Sequence, residues 1–158
     1  MNLTPTLEPA THRHAAVLAD MSARWVEQGL RPSWGAPRIA DHIAHPESMV
    51  LVARERGAII GFAIMRYGEE RAHLNLLAVA PPWQRHGVGR ALLRWLEETA
   101  ITAGVFHVDL ELRSANAAAY AFYATLGYRE VGRVPAYYQG VEHAVRMTRD
   151  LAVVPASL

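Results

Sequence analysis

Residues 76–90 read Leu76-Leu77-Ala78-Val79-Ala80-Pro81-Pro82-Trp83-Gln84-Arg85-His86-Gly87-Val88-Gly89-Arg90. An apolar run of strand character meets Pro81-Pro82, which cannot donate to a sheet ladder and so ends the strand. Behind the two glycines, Val88, Leu92, Leu96 and Ala100 recur at helical spacing and predict a core-facing helix over 88–103. The segment therefore reads strand, turn, helix. A helix start leaves its first N–H groups without intrahelical partners and carries the positive end of the helix dipole. Glycine at 87 and 89 lets backbone approach a bound group with no Cβ in the way, and Arg85 and Arg90 add positive charge. Such a start suits a phosphate or pyrophosphate. The plainer alternative is a glycine turn that merely begins a helix, and the pattern alone leaves the two level.

Downstream, residues 105–113 alternate, with Phe106, Val108, Leu110 and Leu112 on one face and His107, Asp109, Glu111 and Arg113 on the other. Asn116 reads as the N-cap of an alanine-rich helix closed by Gly127. Tyr128 to Val134 and His143 to Leu151 follow as a last pair of strands around a tyrosine-rich loop. Upstream, Met49 to Arg54 and Ala58 to Arg66 flank Arg56-Gly57 as a hairpin, and Arg71 to Val79 forms the next strand. A short strand is expected near Leu3 to Glu8. Thr11 reads as the N-cap of a helix carrying Leu18, Met21 and Trp25 and ended by Gly29. A Pro/Gly-rich loop over 30–37 leads to a short helix with Ile39 and Ile43, closed by Pro46. The expected fold class is mixed α/β (α+β). Its central sheet is mostly antiparallel, of about seven strands flanked by about four helices, with one crossover from strand 71–79 to strand 105–113.

The chain has 158 residues, 51% of them hydrophobic and 20% charged, which fits one domain over 1–151 with a loose end at 152–158. Sixteen basic residues against fifteen acidic leave a net charge of +1, too balanced for an electrostatic nucleic-acid clamp. Every basic residue is arginine; lysine and cysteine are absent. That excludes disulfides, thiolate zinc sites, cysteine nucleophiles, Schiff-base lysines and the phosphate-gripping lysine of a P-loop. His42 and His45 lie three residues apart, but only Asp41 accompanies them, so no metal site is expected. The N-terminus lacks a charged segment followed by an apolar core. No apolar run approaches the ~18 residues of a membrane span, so a cytoplasmic protein without membrane contact is expected.

Two motifs in order carry a resemblance. Gln84, Gly87 and Gly89 match a (Gln/Arg)-x-x-Gly-x-(Gly/Ala) phosphate signature, and Asn116, Tyr123, Gly127 and Tyr128 match the pattern that follows it one strand later. Over roughly residues 48 to 150 the sequence resembles the GNAT superfamily of acyl-CoA-dependent N-acetyltransferases. Leu110, Glu111, Leu112, Arg113 and Asn116, with the pair Tyr137-Tyr138, are similar to the RimI-like branch, the ribosomal-protein-alanine N-acetyltransferases. The match departs from that branch at Ala115 and in a shorter loop after the tyrosine pair.

The resemblance implies a GNAT-type acyl-CoA N-acyltransferase fold, acetyl-CoA as co-substrate, no metal, and a monomer or homodimer. The acceptor it implies is a primary amine, most simply a peptide or protein N-terminal α-amine. A small amine (polyamine, amino acid or amino-sugar) is the alternative, and a non-catalytic acyl-CoA-binding module is a further one. By the same carry-over Glu111 is the general base acting through a water, since an amine of pKa about 8–10 is mostly protonated at neutral pH. Tyr123 is the acid for the departing thiolate, because a phenol of pKa about 10 keeps its proton at pH 7. The backbone of Leu77, Ala78 and Val79 pairs with the pantetheine arm like an added strand. Arg85, His86, Gly87, Val88, Gly89 and Arg90 hold the pyrophosphate, Asn116 contacts CoA, and Tyr137 and Tyr138 shape the acceptor site. Without cysteine, transfer is direct within a ternary complex. Each role has a structural rival: a solvated strand carboxylate for Glu111, a packed core tyrosine for Tyr123, a simple helix cap for Asn116 and strand-end packing for the tyrosine pair.

Overall fold

A computed structural model describes residues 5–152. The expected strand near Leu3 to Glu8 is found as β1 (Thr6–Pro9), the first residues of the expected span lying outside the described residues. The expected loose C-terminal end lies beyond Ala152 and is likewise outside them. After β1, a 3₁₀ turn over His12–His14 leads into α1 (Ala15–Trp25), and His14 Nδ1 accepts the Thr11 N–H at 3.1 Å. Then come α2 (Ala36–Ala44), β2 (Ser48–Glu55), β3 (Ala58–Tyr67), β4 (Arg71–Val79), α3 (Val88–Thr102), β5 (His107–Arg113), α4 (Ala117–Thr125), β6 (Arg129–Tyr138) and β7 (Glu142–Asp150). Arg56 and Gly57 turn the β2–β3 hairpin with φ of 52° and 82°, the two left-handed positions of a tight hairpin turn.

The sheet runs β1-β2-β3-β4-β5-β7-β6, antiparallel everywhere except the β4–β5 pair joined through α3. The last hairpin is inverted relative to chain order: β7 is the inner strand and β6 the edge. Composition explains the choice. β7 supplies Ala144, Val145 and Met147 to the core, each at most 1% exposed, whereas β6 carries Gly132, Pro135 and an exposed Val131. Proline and an irregular register suit an edge strand, which needs no ladder on its outer side.

Each face of the sheet has its own core. One packs α3 and α4 through Leu92, Leu93, Leu96 and Leu126, and the other packs α1 and α2 through Leu18, Met21 and Ile39. β4 contributes to both because its register with β3 slips from Met65–Leu74 to Ile64–Leu76, leaving Asn75 as an extra residue. A one-residue bulge flips every later side chain to the opposite face. Ala72 and Leu74 therefore join the α3 core while Leu76 and Ala78 join the α1–α2 core.

Two local expectations shift. β5 starts at His107, so Val105 (3% exposed) fills the core position while Phe106 stands 41% exposed. α1 ends at Trp25 rather than at Gly29, because the N–H groups of both Val26 and Glu27 turn back onto the Ser22 carbonyl. Beneath α3 lies a buried charge cluster. Glu97 accepts from Arg149 Nη1 at 2.7 Å, from Arg94 Nη1 at 3.0 Å and from the Tyr128 hydroxyl at 2.8 Å, joining α3 to β7 and to the residue just before β6. Among the described residues no helix is long and apolar enough to cross a membrane.

Candidate functional site

β4 and β5 pair in parallel only from Arg71–His107 to His73–Asp109. Two residues on, β4 bulges at Asn75, and the two strands part. Leu76 to Val79 keep β3 on one side and have no strand on the other, so alternate peptide groups point into the opening. A cavity of about 750 Å³ fills this wedge; His73, Asn75 and Leu77 line one wall, Glu111 and Tyr123 the other. The Asn75 side-chain oxygen is buried there with no hydrogen-bond partner.

At the far end of β4 the chain enters α3. The first intrahelical bond runs from Ala91 N–H to the Gly87 carbonyl, so the N–H groups of Val88, Gly89 and Arg90 have no intrahelical acceptor. Arg85 and Gly87 adopt left-handed φ of 65° and 85°, and the Gln84 amide donates to the Val79 carbonyl at 3.0 Å, tying the loop to the strand end. Arg85, His86 and Arg90 are exposed, and neither arginine enters an ion pair among the described residues. Val88 is 1% exposed, so only its backbone is available. Gly89 has a second reason to be glycine: a Cβ there would lie 3.2 Å from the Phe122 ring of α4. The opening presents N–H groups without intrahelical acceptors beside two arginines that enter no ion pair among the described residues, an arrangement whose chemistry suits an anion.

The carboxylate of Glu111, on the polar face of β5, is only 12% exposed and is not a solvated strand residue. Its Oε1 accepts from His73 Nε2 at 2.7 Å and from the Tyr137 hydroxyl at 3.2 Å, and its Oε2 lies 3.4 Å from Arg146 Nε. Burial works to raise this carboxyl's pKa, but the His73 bond and charge, with Tyr137 and Arg146, outweigh it and hold it below the usual carboxylate range. The bond to Glu111 in turn raises His73 above the ordinary imidazole value, against the lowering effect of its own burial. Sequence reading missed His73. The alternation of Arg71–Val79 places it on the polar face, but nothing local says that face meets Glu111 across a parallel pair.

His73→Gln keeps a donor and removes the charge, so the Glu111 carboxyl should titrate at higher pH than in the wild type. NMR of the Glu111 carboxyl carbon through the acidic range measures it. An unchanged titration would show that His73 does not set the charge state.

The remaining candidates gather around the same cavity. Tyr123 packs edge-on to Phe122 and Tyr128, with centroids 5.1 and 5.7 Å away, and also lines the wedge. Burial, with the neighbouring Tyr138, pushes its phenol far above the usual value. It is both a packed tyrosine and a cavity wall. Asn116 caps α4, its Oδ1 accepting the Ala119 N–H at 3.0 Å, and borders the cavity. Tyr137 and Tyr138 form the end of β6 rather than a loop, with rings edge-on at 4.9 Å. Leu77 and Val79 pack toward α3, and Ala78 toward the opposite core.

The loop between α1 and α2 forms a third side of the cavity, and its anchor was not anticipated from sequence. Glu27, 6% exposed, accepts from Ser22 Oγ, Ser33 N–H, Ser33 Oγ and Trp34 N–H at 2.6–3.4 Å. The loop is clasped to the β6–β7 turn: the Arg31 N–H donates to Gln139 Oε1 at 3.0 Å, and Gln139 Nε2 donates to the Arg31 carbonyl at 2.6 Å. Residues 108 apart in sequence thus close one end of the cavity. His42 and His45 are engaged elsewhere, with Ser48 Oγ at 3.0 Å and the Glu47 N–H at 3.0 Å. Among the described residues no group of three His, Cys, Asp or Glu could hold a metal ion.

Comparison with known proteins gives consistent findings. Residues 16–128 match the family model described as the acetyltransferase (GNAT) family. The ribosomal protein bS18-alanine N-acetyltransferase of Salmonella typhimurium is 38% identical over 109 residues, covering 67% of this chain and 72% of that one. The N-alpha-acetyltransferase RimI of Mycobacterium tuberculosis is 35% identical over 123 residues, covering 74% and 75%. The crystal structure of the ribosomal-protein-S18-alanine N-acetyltransferase from Escherichia coli superposes with a TM-score of 0.82 at 28% identity, covering 98% and 99% of the two chains.

Proposed function

The chain belongs to the acetyltransferase (GNAT) family, and on that premise we propose that it moves an acetyl group from acetyl-CoA directly to the N-terminal α-amine of a protein. The observation that carries the reading is the position of Glu111. An ionised carboxylate sits on the wall of a wedge whose other wall is an unpaired strand segment leading to an anion cradle. The named relatives support the acceptor class, being alanine N-acetyltransferases of a ribosomal protein. Such an acceptor places the work in the cytoplasm.

Acetyl-CoA, when bound, supplies an activated thioester carbonyl. The free N–H groups of Val88, Gly89 and Arg90 receive its pyrophosphate, with Arg85, His86 and Arg90 around it and Gly87 shaping the turn. Alternate peptide groups of Leu77, Ala78 and Val79 pair with the extended arm and aim one N–H at the carbonyl oxygen. Asn116 retains its side-chain N–H₂ for the same ligand while its oxygen caps α4.

The acceptor arrives mostly as an ammonium, since an α-amine has a pKa of about 8. Glu111 takes one proton from it through a water, and His73, Tyr137 and Arg146 keep the carboxylate oriented. As the C–N bond forms and the C–S bond breaks, Tyr123 gives its proton to the departing sulfur, and the second proton shed by the acetylated nitrogen passes through cavity water to restore the Tyr123 phenol. Its raised pKa keeps the phenol protonated at neutral pH until the sulfur departs. Tyr137 and Tyr138 flank the amine. No acyl-enzyme stage is needed, and no cysteine is present to form one.

Free-thiol release from acetyl-CoA, run against N-terminal peptides and small amines, tests this. Release with peptides beginning in a small residue is expected. Release with small amines alone keeps the chemistry and overturns the acceptor. Acetyl-CoA binding with silence across the whole panel would mean a module that never turns over.

A further inference from the structure

We propose that Arg38 forms an anion-reading subsite in the acceptor half of the cavity, so that preferred acceptors carry an acidic side chain at the second or third residue. The inference rests on the N-terminal-amine reading and names the class of chain it selects.

Three carboxylates line the cavity, and each is already engaged. Glu27 is taken by Ser22, Ser33 and Trp34, Glu111 by His73, Tyr137 and Arg146, and Glu142 by Arg113 at 3.0 Å. Beyond Glu111 at the terminal ammonium, none is left to read a cationic side chain on the acceptor. Arg38 lines the same cavity and enters no ion pair among the described residues; its one hydrogen bond is a long 3.4 Å contact to the Ser33 carbonyl.

It is nonetheless held in place. The guanidinium lies 3.7 Å from the centroid of the Trp34 ring, a stacking distance that costs none of its donors. Trp34 is 7% exposed and meets the ring of His42, one turn after Arg38 on α2, at 5.3 Å. His42 is tied to Ser48 Oγ at 3.0 Å, so the support extends to β2. Arg38 shares the cavity lining with Tyr137, and its charge opposes the upward push that burial and the Glu111 carboxylate give the Tyr137 phenol. The same Tyr137 hydroxyl bonds Glu111, where the amine is activated. An extended peptide advances about 3.3–3.6 Å per residue, so a side chain near the terminus can span from Glu111 toward this wall. A planar, stacked, unpaired guanidinium is a carboxylate receptor.

The test compares kcat/KM for decapeptides identical except for Glu, Ala or Arg at the second and third positions, with calorimetric peptide binding to the CoA-loaded protein as a readout independent of turnover. Glu is expected to exceed Arg by about fivefold or more. Arg38→Gln should bring the ratio near one, and Arg38→Glu should invert it, with the KM for acetyl-CoA unchanged. Arg38 is exposed, so both variants should fold, which a melting curve checks. Arg equal to or better than Glu in the wild type, or a ratio indifferent to both variants, overturns the proposal. If only small amines are acetylated, the N-terminal reading falls separately. An Arg38-dependent preference for amino acids over polyamines then keeps the subsite, and a preference for polyamines removes it.

Discussion

Glu111→Gln is expected to lower turnover by about 10²–10⁴-fold at saturating acetyl-CoA and acceptor. The substitution is nearly isosteric and its amide oxygen can still accept from His73 or Tyr137, so the β5 backbone and the cavity should persist. What disappears is the charge that takes up the ammonium proton, and His73 and Arg146 are left facing a neutral group. Thiol release at fixed pH measures the loss. Turnover within a few fold of wild type would remove Glu111 from the base role, and Tyr123→Phe then becomes the test of whether either acid–base group matters. The pH dependence has a definite sign. Because the Glu111 pKa is lowered in the folded protein, the carboxylate stays ionised below the usual carboxylate range. The rise of activity between acid and neutral pH should therefore follow deprotonation of the acceptor amine rather than of Glu111, and should move with the acceptor's own pKa.

Glu97→Ala is expected to destabilise the fold by about 3–5 kcal/mol, the usual effect of removing one member of a buried ion pair. Glu97 is 3% exposed and Arg149 is 9% exposed, so truncating the carboxylate leaves a guanidinium and the Tyr128 hydroxyl without their acceptor. Arg149 also packs against Gly127, where a Cβ would lie 3.1 Å from its Nε, so the arginine has little room to find another partner. Urea unfolding of both proteins measures the difference, which at 2–4 °C per kcal/mol corresponds to a drop in Tm on the order of 10 °C. Arg94→Ala is the internal control: its side chain is 33% exposed, and its removal should cost about 1 kcal/mol or less. Equal losses for the two variants would mean that the cluster is not what holds α3 to β7.

The glycine turn and the helix behind it were legible in sequence because both are local. Val88, Leu92, Leu96 and Ala100 are all buried, as their spacing requires, and Asn116 caps α4 as its position before the alanine run suggests. Phe106 misled because alternation was extended one pleat too far: β5 begins after it, and Val105 occupies the core. Gly29 misled because the end of α1 is set by Ser22 and Glu27, through bonds that depend on where Ser33 and Trp34 return. The polar face of β5 was readable, and Glu111 stood on it. Its partners were not, since His73, Tyr137 and Arg146 come from three other strands.

By itself the sequence determined the order and type of the elements, the absence of cysteine and lysine chemistry, and the strand–turn–helix with its glycine turn. Those properties depend on residues within a turn or a pleat of one another. Tertiary structure alone decided that β7 enters between β5 and β6, that β4 flips face at Asn75, and that β4 and β5 separate just past His73. A register or a divergence is a relation between strands distant in the chain, and it is chosen by which packing buries both cores at once. The cavity, the hydrogen-bonded pair His73–Glu111 and the Arg31–Gln139 clasp exist only after that choice is made.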